Sequence, residues 1–223
     1  MRKTLLAALA LVVAVALARG LLGAATVSVS TESALSAPAR QLPSTDSSLQ
    51  AKARNPKWAV PIERPGLPNF FKVSDDLYRG AQPTAEGFRE LEKMGVKTDV
   101  NLRSFHSDSS LLEGTKLGYE NINVKAWHAE DEDLVRFLKI VTDKKNTPVF
   151  VHCQYGADRT GMVVAVYRMA VQGWTKDEAI EEMTQGGFGF HKTWENLVTY
   201  LRKLDVDALK RAAGLGGAHP KNN

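Results

Sequence analysis

Cysteine is almost absent from this sequence of 223 residues, and Cys153 is the single example. One cysteine cannot form an intrachain disulfide and cannot build a cysteine-based zinc site. The five histidines show no paired ligand spacing, so the sequence predicts no metal centre and no cofactor. With 43% hydrophobic and 24% charged residues, the composition is globular and excludes wholesale disorder, collagen-like repeats and a multi-span membrane protein.

An excess of positive charge is also missing from most of the chain, although the net charge is +4. Residues 1–60 carry seven lysines and arginines against two acidic residues, a balance of +5. Residues 61–223 carry a balance of −1. A basic surface is the usual signature of nucleic-acid binding, so the sequence predicts no nucleic-acid partner for the folded part.

The apolar run near the start is too short to cross a membrane comfortably. Residues 5–17 contain only Leu, Ala and Val, and as a helix they would span about 20 Å. A bilayer core measures roughly 30 Å. Together with the basic start and the small residues near position 18, this predicts a signal peptide over residues 1–18. The alternative is an uncleaved anchor ending at about residue 27, with residues 5–27 as a membrane tether. Either way we expect export to the periplasm or the exterior.

The rest of the chain divides into a linker, one domain and a short tail. Residues 19–61 are rich in Ser, Ala, Thr and Pro without a regular period, which predicts a flexible linker. Residues 62–213 alternate strand-like and helix-like segments, including a weak helix over 109–117. This alternation predicts an α/β domain with a mostly parallel central sheet and helices on both faces. Residues 214–223 form the tail.

The chemistry is concentrated in residues 152–161, which follow a fully apolar strand and precede an apolar helix. A loop in this position directs backbone N–H groups and a helix N-terminus to one point, where an anion binds and a thiolate is stabilised. Cys153 is therefore the candidate nucleophile, and the planar guanidinium of Arg159 suits two phosphate oxygens. The Thr160 hydroxyl can donate a hydrogen bond to the sulfur. The candidate phosphate-binding residues are Gln154, Tyr155, Gly156, Ala157, Asp158 and Thr160, together with Arg159.

This loop resembles the His-Cys-x5-Arg-Ser/Thr signature of the protein tyrosine phosphatase superfamily. Residues 78–83 and 100–103 are similar to atypical dual-specificity phosphatases of bacteria, plants and fungi. The resemblance covers about residues 65–205. It implies a compact dual-specificity phosphatase fold and metal-independent hydrolysis through a phosphocysteine intermediate on Cys153. It also implies that His152 orients the loop by hydrogen bonding.

The resemblance further implies a general acid on the loop before the helix that precedes the nucleophile strand. Asp131 is the first candidate and Glu130 the second, while Asp158 inside the phosphate-binding loop is a third. Acids at a helix N-terminus also suit the helix dipole without any catalytic role, so this alternative stays open.

Three functions fit these features. The first is a phosphatase, whose substrate is a phosphoprotein or a small phosphoester such as an inositol polyphosphate. The second is a rhodanese-like sulfurtransferase, and the third is an inactive phosphate-binding module. Arg79 and Arg103, at the ends of predicted strands, either face the phosphate or form ordinary ion pairs. The glycine-rich residues 186–191 either wall the site or simply connect two helices.

Overall fold

The computed structural model describes residues 54–216, and its elements occupy most of that range. The predicted signal peptide, the alternative anchor, most of the predicted linker and the last seven residues of the predicted tail lie outside the described residues. The strands are β1 Val60–Pro61, β2 Phe71–Lys72, β3 Leu77–Gly80, β4 Thr98–Asn101, β5 Gly118–Asn121 and β6 Val149–His152. The α-helices are α1 Ala85–Lys93, α2 Asp131–Thr142, α3 Asp158–Gln172, α4 Lys176–Gln185, α5 Glu195–Lys203 and α6 Val206–Ala212, with a short 3₁₀ turn at Lys192–Trp194.

The six strands form one sheet in the order β1-β2-β3-β6-β4-β5. β1, β2 and β3 are antiparallel, whereas β3, β6, β4 and β5 are parallel to one another. Strand β6 lies inside the sheet between β3 and β4. The residue after it therefore lies among the C-terminal ends of the parallel strands. The mostly parallel sheet confirms the predicted fold class.

Alternate side chains of β6 separate two apolar cores. Val149 and Val151 pack into the larger core, which contains residues of α2, α3, α4, α5 and α6. Phe150 points the other way into a smaller core with Phe88 and Leu91 of α1. The period of two in a strand puts successive side chains on opposite faces, so both faces of the sheet are covered by helices as predicted. None of the helices within residues 54–216 combines the length and apolar character needed to span a membrane.

Helix α3 begins at the phosphate-binding loop and is buried along nearly its whole length. Twelve of its fifteen residues are buried, which agrees with the apolar helix expected after the loop. Gly173 ends the helix in the left-handed conformation that favours glycine. A helix held this firmly gives the loop before it a fixed orientation.

The predicted helix over residues 109–117 is wrong, because these residues form successive turns. The Asp108 carbonyl accepts hydrogen bonds from the N–H groups of Leu111 and Leu112, which close a single turn. The Ser107 hydroxyl caps the Ser109 N–H, and Gly114 has a φ of 82°. Serine side chains that bond the backbone and a left-handed glycine favour turns over helix propagation.

The folded region also starts earlier than the predicted domain boundary at residue 62. Val60–Pro61 form strand β1 against β2, and the buried Ala59 N–H donates to the Glu182 carboxylate at 2.7 Å. The Arg54 side chain donates to the Ala59 carbonyl and to the Gly186 carbonyl. The contacts with Glu182 and Gly186 join residues more than 100 positions apart, so composition alone did not reveal them.

Candidate active site

The candidate site is the loop of residues 153–159, here called the phosphate loop, between β6 and the first turn of α3. Cys153 follows β6 directly, and its side chain is 2% exposed. Gly156 has a φ of 68°, and a Cβ at this position would lie 2.4 Å from the Gly80 carbonyl group. The loop therefore presses against the end of β3 so closely that glycine is required at this point.

The surroundings of Cys153 favour the thiolate. Burial alone raises a thiol pKa, but the pKa of Cys153 is lowered, because opposing interactions outweigh burial. These are the neighbouring Thr160 hydroxyl and N–H, the positive charge of Arg159, and the Tyr155 N–H. The Thr160 hydroxyl is buried and has no hydrogen-bond partner in the described chain, so it is available to the sulfur. The α3 N-terminus adds its positive partial charge.

Several donors of the phosphate loop are available to an anion. The N–H groups of Gln154, Gly156 and Ala157 donate to no carbonyl oxygen in the part of the chain described. Arg159 is half-buried, and one of its nitrogens donates to the Leu102 carbonyl at 3.3 Å, which leaves other donors of the guanidinium for a ligand. A cradle of amides with a guanidinium beside it fits a phosphate group.

Asp158 is held by the loop between α4 and α5. One carboxylate oxygen accepts the His191 N–H and the other contacts the His191 ring nitrogen, both at 2.9 Å. Asn69 completes the connection, because its side chain donates to the Tyr155 carbonyl at 2.8 Å and to the Phe188 carbonyl at 2.9 Å. Residues 186–191 therefore wall the phosphate loop. Both oxygens of Asp158 have partners, so its geometry is that of a structural residue.

A polar network links the end of β3 to the end of β4 beside the site. The Gln82 side chain donates to Asp108 at 2.6 Å and accepts from Arg103 at 2.6 Å, while its backbone N–H donates to the Gln154 carbonyl at 3.3 Å. Burial lowers the pKa of Arg103, as does the nearby Arg159, whereas Asp108 and Cys153 oppose the shift. Gln82 thus connects Arg103 to the phosphate loop.

His152 lies beneath the phosphate loop between two buried carboxylates. Its Nε2 is 3.0 Å from Asp108 and 3.3 Å from Asp99, and Nδ1 is 3.4 Å from the Cys153 carbonyl. Burial opposes the charged ring, but the two carboxylates raise the pKa of His152 to about 9. The pKa of Asp99 is raised by burial, whereas that of Asp108 is lowered, because bonds to His152 and Gln82 outweigh burial.

These three side chains also resemble a metal-ligand set. One ligand atom from each of Asp99, Asp108 and His152 lies within 4.8 Å of the others. A cationic imidazole between carboxylates accounts for the same geometry without a metal, and it agrees with the raised pKa of His152. The predicted absence of a metal stays a prediction.

The two leading candidates for the general acid lie at the start of α2. The Asp131 carboxylate accepts a hydrogen bond from the Tyr200 hydroxyl of α5 and lines a groove that reaches Ala212 of α6. Glu130 pairs with Lys125 at 3.2 Å. Among the described contacts, none joins either residue to the phosphate loop, so their catalytic role stays a prediction.

Asp133, one turn into α2, was not among the candidates. Burial and the neighbouring Glu130 carboxylate raise the pKa of Asp133. A carboxylic acid with a raised pKa is a better proton donor near neutral pH, so Asp133 joins the candidates for testing.

Sequence reasoning missed the contacts that hold the phosphate loop in place. The Arg79 side chain is fully buried and donates to the Gly156 carbonyl at 2.6 Å, so neither predicted alternative for it describes what it does. Asn69 and Gln82 are also contacts of this loop. Gln82 belongs to the motif at residues 78–83 that carried the family resemblance, and that motif was the available signal.

The fold and the His-Cys-x5-Arg-Thr loop together define an atypical dual-specificity phosphatase of the protein tyrosine phosphatase superfamily. Residues 67–197 match the family model described as "DSP-PTPase phosphatase fused to NAD+ Kinase". The chain belongs to this family, and it is a hydrolase of the tyrosine and dual-specificity phosphatase type.

Individual relatives agree with this membership. The dual specificity protein phosphatase TpbA of Pseudomonas aeruginosa (strain UCBPP-PA14) is 33% identical over 171 residues, which cover 76% of this chain and 77% of the relative. A crystal structure of P. aeruginosa TpbA in complex with pTyr matches with a TM-score of 0.66 at 33% identity, over 73% of this chain and 99% of that chain. An inositol diphosphatase of Arabidopsis thaliana is 28% identical over 125 residues, which cover 52% of this chain and 60% of the relative.

Proposed function

We propose that the protein hydrolyses phosphomonoesters through a covalent phosphocysteine on Cys153. In the first step, the thiolate attacks phosphorus, the S–P bond forms and the P–O bond to the leaving group breaks. The leaving oxygen takes a proton from a general acid. In the second step, the deprotonated general acid takes a proton from water as that water attacks phosphorus, the S–P bond breaks, and inorganic phosphate leaves with the thiolate and the general acid restored.

The single observation that carries this proposal is a buried thiol with a lowered pKa at the start of an anion cradle. The Thr160 hydroxyl and the Arg159 charge both favour the thiolate form that attacks phosphorus. The amides of the phosphate loop and the Arg159 guanidinium would bind the non-bridging oxygens, whose charge changes during transfer.

Asp131 remains our first choice for the general acid, with Glu130 and Asp133 as the alternatives. In the present structure the Tyr200 hydroxyl bonds Asp131, so the proposal requires the segment before α2 to move when substrate binds. Lid segments of this kind often complete an active site only in the substrate complex.

We further propose that the substrate is phosphotyrosine in a polypeptide rather than an inositol polyphosphate. The exposed aromatic residues Phe105, Trp127 and Tyr155 are 98%, 65% and 62% exposed, and they lie in the segments after β4, β5 and β6. These strands are parallel, so their C-terminal ends lie together on one side of the sheet. Cys153 follows β6 on that same side. Aromatic side chains suit a phenyl ring and flanking peptide residues.

Two further observations favour this choice. Phe105 has a φ of 57°, a costly conformation for a bulky residue and therefore typical of functional segments. Residues 154–158 include the acidic Asp158 and no lysine, so the phosphate loop offers a polyphosphate little additional positive charge. Arg103 beside Arg159 favours the inositol polyphosphate alternative, which is why that substrate belongs in the test.

The test is a kinetic panel in which phosphotyrosine peptide, phosphoserine peptide, inositol hexakisphosphate and para-nitrophenyl phosphate are compared at one pH. We expect the highest kcat/KM for the phosphotyrosine peptide. Replacing either Phe105 or Trp127 by alanine should lower kcat/KM for the peptide several-fold, on the order of 1 kcal/mol, with little effect on para-nitrophenyl phosphate. Preference for inositol hexakisphosphate would overturn the substrate proposal, and absence of turnover with every phosphoester would overturn the phosphatase mechanism.

The same panel with thiosulfate added would detect the sulfurtransferase alternative, which membership in a phosphatase family disfavours. We also propose that the protein is exported, on the basis of residues 1–18. Cells expressing the full chain would be fractionated, and the N-terminal peptide of the recovered protein would be identified by mass spectrometry. This would distinguish a cleaved signal peptide from an anchor within residues 5–27. Recovery of the full-length chain in the cytoplasm would contradict export.

A further inference from the structure

Arg79 is a buried cation directly beneath the phosphate loop. It lies in β3, next to β6, and its side chain is 0% exposed. Its Nη2 donates to the Gly156 carbonyl at 2.6 Å. Its guanidinium carbon lies 3.6 Å from the centre of the Phe188 ring, so the ring covers one face of the charge. Phe188 belongs to the same 186–191 segment that walls the phosphate loop.

The placement of Arg79 is costly by ordinary standards of protein stability. Its Nε and Nη1 are buried without a hydrogen-bond partner in the described chain, and no carboxylate among the described residues lies within salt-bridge distance. Unsatisfied buried donors and an unpaired buried charge both oppose folding. A second buried arginine shows the usual solution, because Arg168 forms two hydrogen bonds to the Glu182 carboxylate at 2.6 and 2.7 Å.

Several charges face Arg79 from the surrounding elements. Burial lowers the pKa of Arg79 to about 10, with Arg168 of α3 and Arg54 of the N-terminal segment acting in the same direction. Glu182 of α4 and the Cys153 thiolate oppose this shift. A group with a pKa of about 10 remains protonated at neutral pH, so the site retains a fixed positive charge that no bonded carboxylate neutralises.

The bond to Gly156 also bears on the orientation of the cradle. In a trans peptide the carbonyl and the following N–H point in opposite directions. Fixing the Gly156 carbonyl toward Arg79 therefore turns the Ala157 N–H away from Arg79, toward the opposite side of the loop. That N–H is one of the groups with no carbonyl partner in the described chain.

We propose that Arg79 is a positioning residue for the reaction, which fixes the phosphate loop through the Gly156 carbonyl and supplies a permanent positive charge that stabilises the Cys153 thiolate from below. The inference deepens the proposed function and rests on it. Arg79 acts from beneath the loop, so its effect reaches substrate through the loop and through the charge of the sulfur.

The experiment measures the thiol and the cradle without requiring turnover. The rate of Cys153 alkylation by iodoacetamide is followed from pH 5 to pH 10, and inorganic phosphate is titrated as the ligand. The sole cysteine of the chain makes the alkylation signal specific. Removing a nearby positive charge raises a thiol pKa, so Arg79→Met should lower the alkylation rate at pH 6 about tenfold and leave the rate at pH 10 unchanged.

Two further variants separate positioning from a purely structural role. Arg79→Lys keeps the charge but loses the fork of the guanidinium, so it should restore most of the alkylation rate at pH 6 while phosphate affinity remains several-fold weakened. The matched control is Arg168→Lys, which makes the same exchange at a second buried arginine and keeps a positive charge beside Glu182. It should lower the midpoint of thermal unfolding and leave the alkylation profile as in the unchanged protein.

A folded Arg79→Met protein with an unchanged alkylation profile and unchanged phosphate affinity would overturn the proposal. If Arg79→Met does not fold, Phe188→Leu takes its place, because it removes the ring that covers the guanidinium and leaves the charge. We then expect weaker phosphate binding, and unchanged binding in both Phe188→Leu and Arg79→Lys would overturn the proposal equally. Failure of the unchanged protein to hydrolyse any phosphoester would instead contradict the proposed function. The alkylation rate of Cys153 would still test the effect of Arg79 on the thiolate.

Discussion

The phosphate loop and the segment between β5 and α2 differ in how firmly the molecule holds them. The phosphate loop is bonded from several sides, by Arg79, Asn69, Gln82 and His191. The segment of residues 122–130 forms fewer hydrogen bonds to other parts of the molecule. One of them joins the Asn196 side chain to the Ala126 carbonyl at 2.8 Å. Trp127 within it is largely exposed.

This difference fits a division of labour in which the anion site is preorganised and the proton donor is delivered. Electrostatic stabilisation of a transferring phosphoryl group works best when the donors are fixed beforehand. A proton donor can arrive on a segment that closes over the substrate.

The nucleophile variant Cys153→Ser should lower kcat by a factor of roughly 10³ or more. The hydroxyl is a far weaker nucleophile, whereas the amides and Arg159 remain in place to bind phosphate. Steady-state kinetics and an inorganic phosphate titration would measure the two properties separately. Turnover comparable to that of the unchanged protein would remove Cys153 from the mechanism, and lost phosphate binding would show that the cradle depends on the sulfur.

Asp131→Asn should lower kcat about 100-fold for a phosphotyrosine or phosphoserine peptide and much less for an aryl phosphate with a good leaving group. Only the poorer leaving groups need a proton in the transition state. Glu130→Gln and Asp133→Asn, measured beside it, are the matched variants within the same segment. An equal effect of Asp131→Asn on both kinds of substrate would reject Asp131, and the variant that does show leaving-group dependence would identify the donor.

Thr160→Val should move the acidic limb of the kcat/KM profile to higher pH, with activity about tenfold lower near pH 6 and little changed at alkaline pH. The direction follows because the Thr160 hydroxyl lowers the pKa of Cys153, so its removal raises that pKa. Thr160→Ser, which keeps the hydroxyl, is the control and should retain the original profile. A parallel loss at every pH would assign Thr160 to packing instead.

Replacing His152 should have the smallest effect on the rate and a clear effect on the free energy of unfolding. Its pKa rises from an ordinary 6.5 to about 9 in the folded protein. The stabilisation from its charge is therefore fully present below pH 6.5 and is lost as the pH rises through about 9, a loss on the order of 3 kcal/mol. Denaturant unfolding at several pH values would measure this loss, and His152→Gln should flatten it. An equally steep loss in His152→Gln would assign the pH dependence to other groups.

The contiguous phosphate loop was easier to predict from sequence than the features that depend on distant contacts. The phosphate loop is contiguous in sequence and joins an apolar strand to an apolar helix, so Cys153, Arg159 and Thr160 were predictable from local chemistry. The start of α2 at Asp131 was also predictable, because its acids and apolar spacing are local signals.

The remaining features depend on contacts between distant residues. The bond from Arg79 to Gly156 arises because β3 pairs with β6, and no local pattern specifies that pairing. The strand at Val60–Pro61 depends likewise on β2 as its partner. The helix at residues 109–117 was predicted from a weak local pattern, and turn-forming side chains decided the outcome. The general acid depends on how the β5–α2 segment meets substrate, which is again a nonlocal property.

The central claim is that phosphate passes through Cys153, and the most direct measurement is to trap that intermediate. Acid quenching within the first turnover of an aryl phosphate, followed by mass spectrometry of the peptide that contains Cys153, would detect the phosphocysteine. The proposal predicts a phosphoryl group on Cys153 that disappears as turnover completes, and no such adduct in Cys153→Ser. Rapid hydrolysis with an unmodified Cys153 at every quench time, or activity that persists in Cys153→Ser, would contradict it.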